Sequence, residues 1–432
     1  MFAALHRSCF WYICTIVGLS FIALHGKAFS SSPSTNETPI YPDNTQLTSV
    51  PIPQNVERPA YLQPMIDSVF GTQVIRISDQ VGFGSNAMAL RHTHATNQPW
   101  NADGSLLMLG HTNPAVLLDG QTYAFLRWIY QPSDAMWLHT DPHSMIGTLS
   151  DTNQLVRFDI QMDWSYEIMH TFDEFATISL GGGQTTLSMD DRYLVVFGFT
   201  EAQTALLVYD LQDEAIISRL DVGTDQVGVD AAINNAGLSQ SGEYIVLAYN
   251  QDGATFPRGI HVLDRDLTYL HTIHNNGAMP YDICIDTASN EAMIISDDVN
   301  ADLISIQLET TEKTELLSSE QIGQDFYVSC RNINRPGWAY ISHFGNDAPE
   351  KAYFGETFAV KLDGSGMVNR FAHTHHTMQD NPENNPMAVP NQDGSKVLWA
   401  SDWGDAEAPI YSYVTNMSED TTPRVVYLPF IQ

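Results

Sequence analysis

Positive charge is what this chain has least of. Its 19 Lys and Arg stand against 51 Asp and Glu, a formal net charge of -32 in 432 residues. A surface of that sign repels nucleic acid and anionic membranes, so neither is expected as a partner. The same imbalance suits a salty medium, where screening shortens the reach of like-charge repulsion. Cysteine is nearly as scarce. Of the four, Cys9 and Cys14 lie in the apolar N-terminal stretch, and Cys284 with Cys330 cannot form the disulfide framework of a small secreted domain. Beyond residues 10–24 there is no long apolar run, and that one is short for a membrane span. Preceded by Arg7 and followed by Ala28-Phe29-Ser30, it reads as a secretory signal over residues 1–30, with an uncleaved anchor as the alternative. A secreted or periplasmic location is expected.

Several catalytic signatures are missing too. No GxSxG elbow or HExxH helix occurs. Asp297, Asp298 and Asp302 lack the spacing of a calcium loop. Gly181-Gly182-Gly183 has no following helix or phosphate-loop lysine, and reads as a tight crossing between blades. No carboxylate pair of the glycosidase kind stands out.

What remains is a repeat. Residues 31–58, rich in Ser, Pro, Thr and Asn, read as a disordered linker, and residues 59–432 as one all-β domain. Within it a strand, a polar turn and three further strands recur seven times at spacings of about 40 to 55 residues. The first turns fall at Asp103-Gly104, Pro142-His143, Asp190-Asp191, Ser241-Gly242, Ser289-Asn290, Pro336-Gly337 and Asp393-Gly394. Third strands are expected at 115–118, 155–159, 205–210, 259–264, 302–308, 357–362 and 409–414. The pattern predicts a seven-bladed β-propeller of four-stranded antiparallel blades. A strand at 72–78 or one at 424–428 would complete blade seven.

In such a ring the loops between blades and those between second and third strands open on one face. Arg91, His92, His94, His111, His139, His343, His373, His375, His376 and Asp402 are expected there, with Tyr249, Arg258, Tyr281, Tyr327 and Trp403. His92 and His111 occupy the two loops of blade one on that face and are candidates for proton transfer and substrate binding. Asp282, Cys330 and His376 come from three successive blades and are candidates for a tetrahedral zinc. Cys284 and Cys330 form a disulfide, or are simply small buried residues, in the competing readings.

The stretches GTQVIRISD, RHTHATNQPWNADGS, LDGQTYAFLRW, SLGGGQTTLS, SCRNINRPGWAYIS and PNQDGSKVLWASDWG together resemble the secreted propeller polysaccharide lyases called ulvan lyases, and more distantly the oligogalacturonate lyases. The likeness runs from about residue 65 to 415. It implies β-elimination on an acidic, uronate-containing polysaccharide. It further implies a histidine pair, which His92 and His111 match in spacing, and a structural zinc in some members. Tyr249 as base or acid, and Arg258 as the group neutralising the uronate carboxylate, are assigned from their blade-four loops. The alternatives are a noncatalytic propeller that binds glycan or protein on the same face, and a hydrolase built on the metal cluster. A monomer is expected.

Overall fold

A computed structural model describes residues 50–416, apart from 163–164, 182–184, 229, 279, 324, 346–350 and 378–381. The expected signal, most of the expected linker and the strand expected at 424–428 lie outside the described residues.

The chain is an all-β, seven-bladed propeller. Blade four shows how the sequence makes a blade. Ile233–Leu238, Tyr244–Tyr249, Gly259–Asp264 and Tyr269–His274 pair antiparallel in that order, from the axis outward. The second strand, YIVLAY, is almost continuously apolar because both its faces are covered. Ile245, Leu247 and Tyr249 join the core shared with blade three, while Val246 and Ala248 join the core shared with blade five. Side chains alternate across a strand, so one apolar run feeds two cores. Outer strands meet solvent and alternate instead, as Ala215–Gly223 does in blade three.

The expected turns hold the blades together. Gly104, Asp191, Gly242, Ser289, Gly337 and Gly394 all take positive φ there. At Gly242 the choice is forced twice, since φ is 76° and a Cβ would stand 2.7 Å from the Tyr193 ring. The expected third strands are all present, for example Gly259–Asp264 in blade four and Thr204–Asp210 in blade three. The inner strand is weakest where proline enters it. In blade one it is reduced to a Trp100–Leu107 bridge beside Pro99, and in blade seven to Val389–Pro390. Proline has no N–H to give the ladder.

The ring closes through its N-terminal strand. Gln73–Arg76 pairs with Ile410–Asn416, from Gln73 opposite Asn416 to Arg76 opposite Tyr413. Pro64–Ile66 adds a further strand outside it. Residues 50–58, expected to belong to a disordered linker, lie against blade seven: Trp403 Nε1 donates to the Val56 carbonyl at 2.9 Å and Arg58 to that of Asp402 at 2.6 Å. Among the described residues no helix is long and apolar enough to cross a membrane.

Candidate functional site

Blades one and two part on one face to leave an open cleft of about 280 Å³. Thr93, Asn97, His111, Asn113, Gln131 and Asp134 line it, with Met136 at its apolar side. Asp134 sits at an irregularity in blade two's inner strand with φ of 52°. A bulge of this kind re-aims its side chain, and the Asp134 carboxylate reaches blade three, accepting from Ser179 Oγ and the Leu180 N–H.

His111 is the titratable group best placed to act in the cleft. Its side chain is 29 % exposed, and Nε2 lies 2.8 Å from a carboxylate oxygen of Glu383, which is 51 % exposed. Glu383 belongs to the loop that approaches blade seven. Burial pushes the His111 pKa below 6.5 despite the opposing pull of Glu383; Arg91 lowers it further. The imidazole is therefore neutral at pH 7. With Nε2–H given to Glu383, Nδ1 keeps the lone pair, a tautomer assigned from the hydrogen bond.

Behind His111 lies a buried layer. Arg91 and His92 are each 1 % exposed. Arg91 donates through Nη1 to the carbonyls of Glu383 at 2.6 Å and Asn385 at 2.8 Å, and its own carbonyl accepts the His111 N–H at 3.1 Å. Burial pushes its pKa down to about 10, which leaves it charged at neutral pH. His92 gives Nε2 to the Met387 carbonyl at 2.5 Å. Burial and then Arg91 hold its pKa well below 6.5. His94 meets the Tyr327 ring edge-on at 5.6 Å and is depressed to about 4, again by burial first. The blade-one loops thus do come together as expected. His92, however, faces the protein rather than the cleft.

The other expected site residues are dispersed. Tyr249 is fully buried, and its hydroxyl donates to Asp225 at 3.0 Å. Burial and then Asp225 raise its pKa, so it is a core residue and no base. Its parity with Ile245 and Leu247 carried that information. Arg258 is exposed in blade four's loop and bonds Asn276 at 2.9 Å, far around the ring from blade one. Tyr281 is likewise core, donating to Asn235. His139 follows blade two's inner strand, Ser133–Trp137, and so lies on the opposite face, where its N–H bonds Asp191 in blade three's turn.

The zinc expectation does not fit. Cys330 is disulfide-bonded to Cys284, with 5.2 Å between Cα atoms. Asp282 is taken by Arg331, whose Nη2 lies 2.8 Å from Oδ1, and also accepts the Cys330 N–H at 2.7 Å. His376 is bonded to Thr374 Oγ1 at 2.7 Å. Among the described residues no three His, Cys, Asp or Glu side chains form a metal-binding group. Instead, Arg331 joins the blades near the axis. It donates to Thr185 of blade three at 2.7 Å, while its carbonyl accepts from Gln98 of blade one at 3.0 Å. His375 packs tilted against Trp403 with ring centroids 4.6 Å apart, and Asp402 binds Thr377 and Asn384. Both belong to blade seven's scaffold.

Glu383 and Arg331 were not marked by any sequence pattern. Glu383 stands in the polar run NPENN, and Arg331 directly follows Cys330.

No known protein family matches the chain, and no curated protein does. Among solved structures, the β-propeller domain of Myceliophteria thermophila Cps50 (Swd1) is 10 % identical, with 76 % of this chain and 98 % of that one covered and a TM-score of 0.42. Kuenenia stuttgartiensis hydrazine synthase is 12 % identical over 61 % of this chain and 71 % of that one, with a TM-score of 0.36.

Proposed function

We propose that the protein is an exported polysaccharide lyase acting by β-elimination in the cleft between blades one and two, on a uronate-containing polysaccharide. One observation carries the proposal: a partly exposed, neutral imidazole, His111, is oriented by a carboxylate, Glu383, at the lip of a polar cleft. Nδ1 of His111 removes the C5 proton. The electron pair forms the C4–C5 double bond and expels O4, which takes up a proton from the solvent that fills the open cleft, and His111 later returns the C5 proton to solvent. Amide side chains of Asn97, Asn113 and Gln131 offer N–H donors for the charge that develops on the uronate carboxylate, the role played by side-chain amides in oxyanion holes. His92, Tyr249 and Arg258 have no part in this assignment. The disulfide supports export, because such bonds persist in oxidising compartments.

A second proposal, noncatalytic glycan binding in the same cleft, is favoured by the absence of any Lys or Arg from its lining among the described residues. Absorbance of the conjugated, unsaturated uronate separates the two. Mixed with ulvan or with polygalacturonate in salty buffer, a lyase produces a rising ultraviolet signal, and His111→Asn reduces the rate by about 100-fold or more. A flat trace with folded wild-type protein, together with saturable glycan binding, replaces the lyase by the binding module.

A further inference from the structure

Three carbonyls of the loop approaching blade seven, those of Glu383, Asn385 and Met387, are each held by a side chain of the consecutive residues Arg91 and His92. We infer that Arg91 and His92 are positioning residues, whose task is to set Glu383 against His111. The inference rests on the His111 assignment above and changes what the histidine pair of blade one means: one imidazole reacts, and the other holds a loop.

The geometry gives each clamp a distinct share. Arg91 reaches both ends of the pairing. Its carbonyl fixes the His111 backbone at 3.1 Å, and its guanidinium fixes the Glu383 backbone at 2.6 Å, so the two partners are referred to one residue. His92 controls a strained position. Met387 is in the left-handed region with φ of 46° and is 8 % exposed. A non-glycine residue stays there only when its surroundings over-determine it. The 2.5 Å hydrogen bond from His92 Nε2 to the Met387 carbonyl supplies that constraint. Asn385 adds a weaker tie, donating to the Tyr327 hydroxyl at 3.4 Å. Nothing in this arrangement needs His92 to meet a substrate, and its burial prevents it.

The charged and titratable groups around His111 are Glu383 from the approach loop, Arg91 and His92 from the loop before blade one, and Asp134 across the cleft. Glu383 raises the His111 pKa and Arg91 lowers it. His92 is neutral, so its replacement alters no charge. That makes His92 the cleaner probe: any change in the His111 titration on substituting it reports movement of the loop.

The test is an NMR titration of the His111 ring in the full chain, assigned with His111→Asn. Glu383→Gln removes the raising influence and is expected to lower the midpoint by about half a pH unit, the size of a partly exposed ion pair. His92→Ala is expected to lower it similarly. His92→Gln, which keeps an N–H donor for the Met387 carbonyl, restores the wild-type midpoint and guards against misfolding of the alanine variant. In a Glu383→Gln background, His92→Ala has no further effect. A wild-type midpoint in folded His92→Ala, or additive shifts in the double variant, overturns the inference. No substrate enters the measurement, so its outcome is independent of whether the cleft proves to be a lyase.

Discussion

His111 and Glu383 make the proposed chemistry depend on pH in a defined direction. A base must be deprotonated, and burial sets the His111 pKa below 6.5. The acidic limb of kcat/KM on a uronate polymer is therefore expected below pH 6.5. It moves lower still in Glu383→Gln, because loss of the carboxylate destabilises the imidazolium. A limb above 6.5, or one unmoved by the substitution, removes His111 as the base. At the axis, Asp282 and Arg331 are almost wholly buried and face each other. Asp282→Ala leaves the guanidinium buried without its counter-charge and is expected to cost about 3–5 kcal/mol. Asp282→Leu combined with Arg331→Met costs less, as denaturant titration of the variants would register. Residue by residue, what the sequence could tell was uneven. Tyr249 was readable as core, because it shares parity with Ile245 and Leu247. Glu383 was not readable, because a loop carboxylate acquires meaning only from the imidazole a distant segment brings to it.

Strands were easier to find than the residues they carry. Third strands could be located from sequence because neighbouring blades bury both their faces, producing short apolar runs between polar turns. Inner strands of blades one and seven were harder, since Pro99 and Pro390 interrupt the pairing that defines them. Pairing between blades was beyond the pattern. Cys284 lies in Asp282–Ile285 and Cys330 just after Phe326–Ser329, inner strands whose adjacency comes only from the ring. The disulfide between them closes a loop with a sequence separation of 46. Its removal in Cys284→Ser/Cys330→Ser is expected to destabilise the protein by about 2–4 kcal/mol. Reductant should reproduce the loss in wild type and have no effect on the double variant.

For the whole molecule, buried neutral histidines couple stability to pH. His94, His375 and His376 are depressed to about 4 and His343 to about 3, chiefly by burial. Their unfolded counterparts titrate near 6.5. Between pH 6.5 and 4 the unfolded chain therefore binds more protons than the folded one, and stability falls as pH falls. Tm is expected to be steady above pH 7 and to drop steeply through that window. A Tm unchanged from pH 7 to 4 means these side chains are protonated at no cost to the fold.

The joining of Gln73–Arg76 to Ile410–Asn416 also orders events in time. Gln73–Arg76, which precedes every blade in the chain and pairs on one side with Pro64–Ile66, finds its other neighbour only after all the blades have been made. A chain emerging from its N-terminus carries that hairpin with one edge unpaired until the last blade arrives. Contacts of such long sequence separation form slowly, and an unpaired edge invites pairing with other chains. Completion of the ring is thus a late step, and an interrupted chain is left with an open strand edge rather than a smaller propeller.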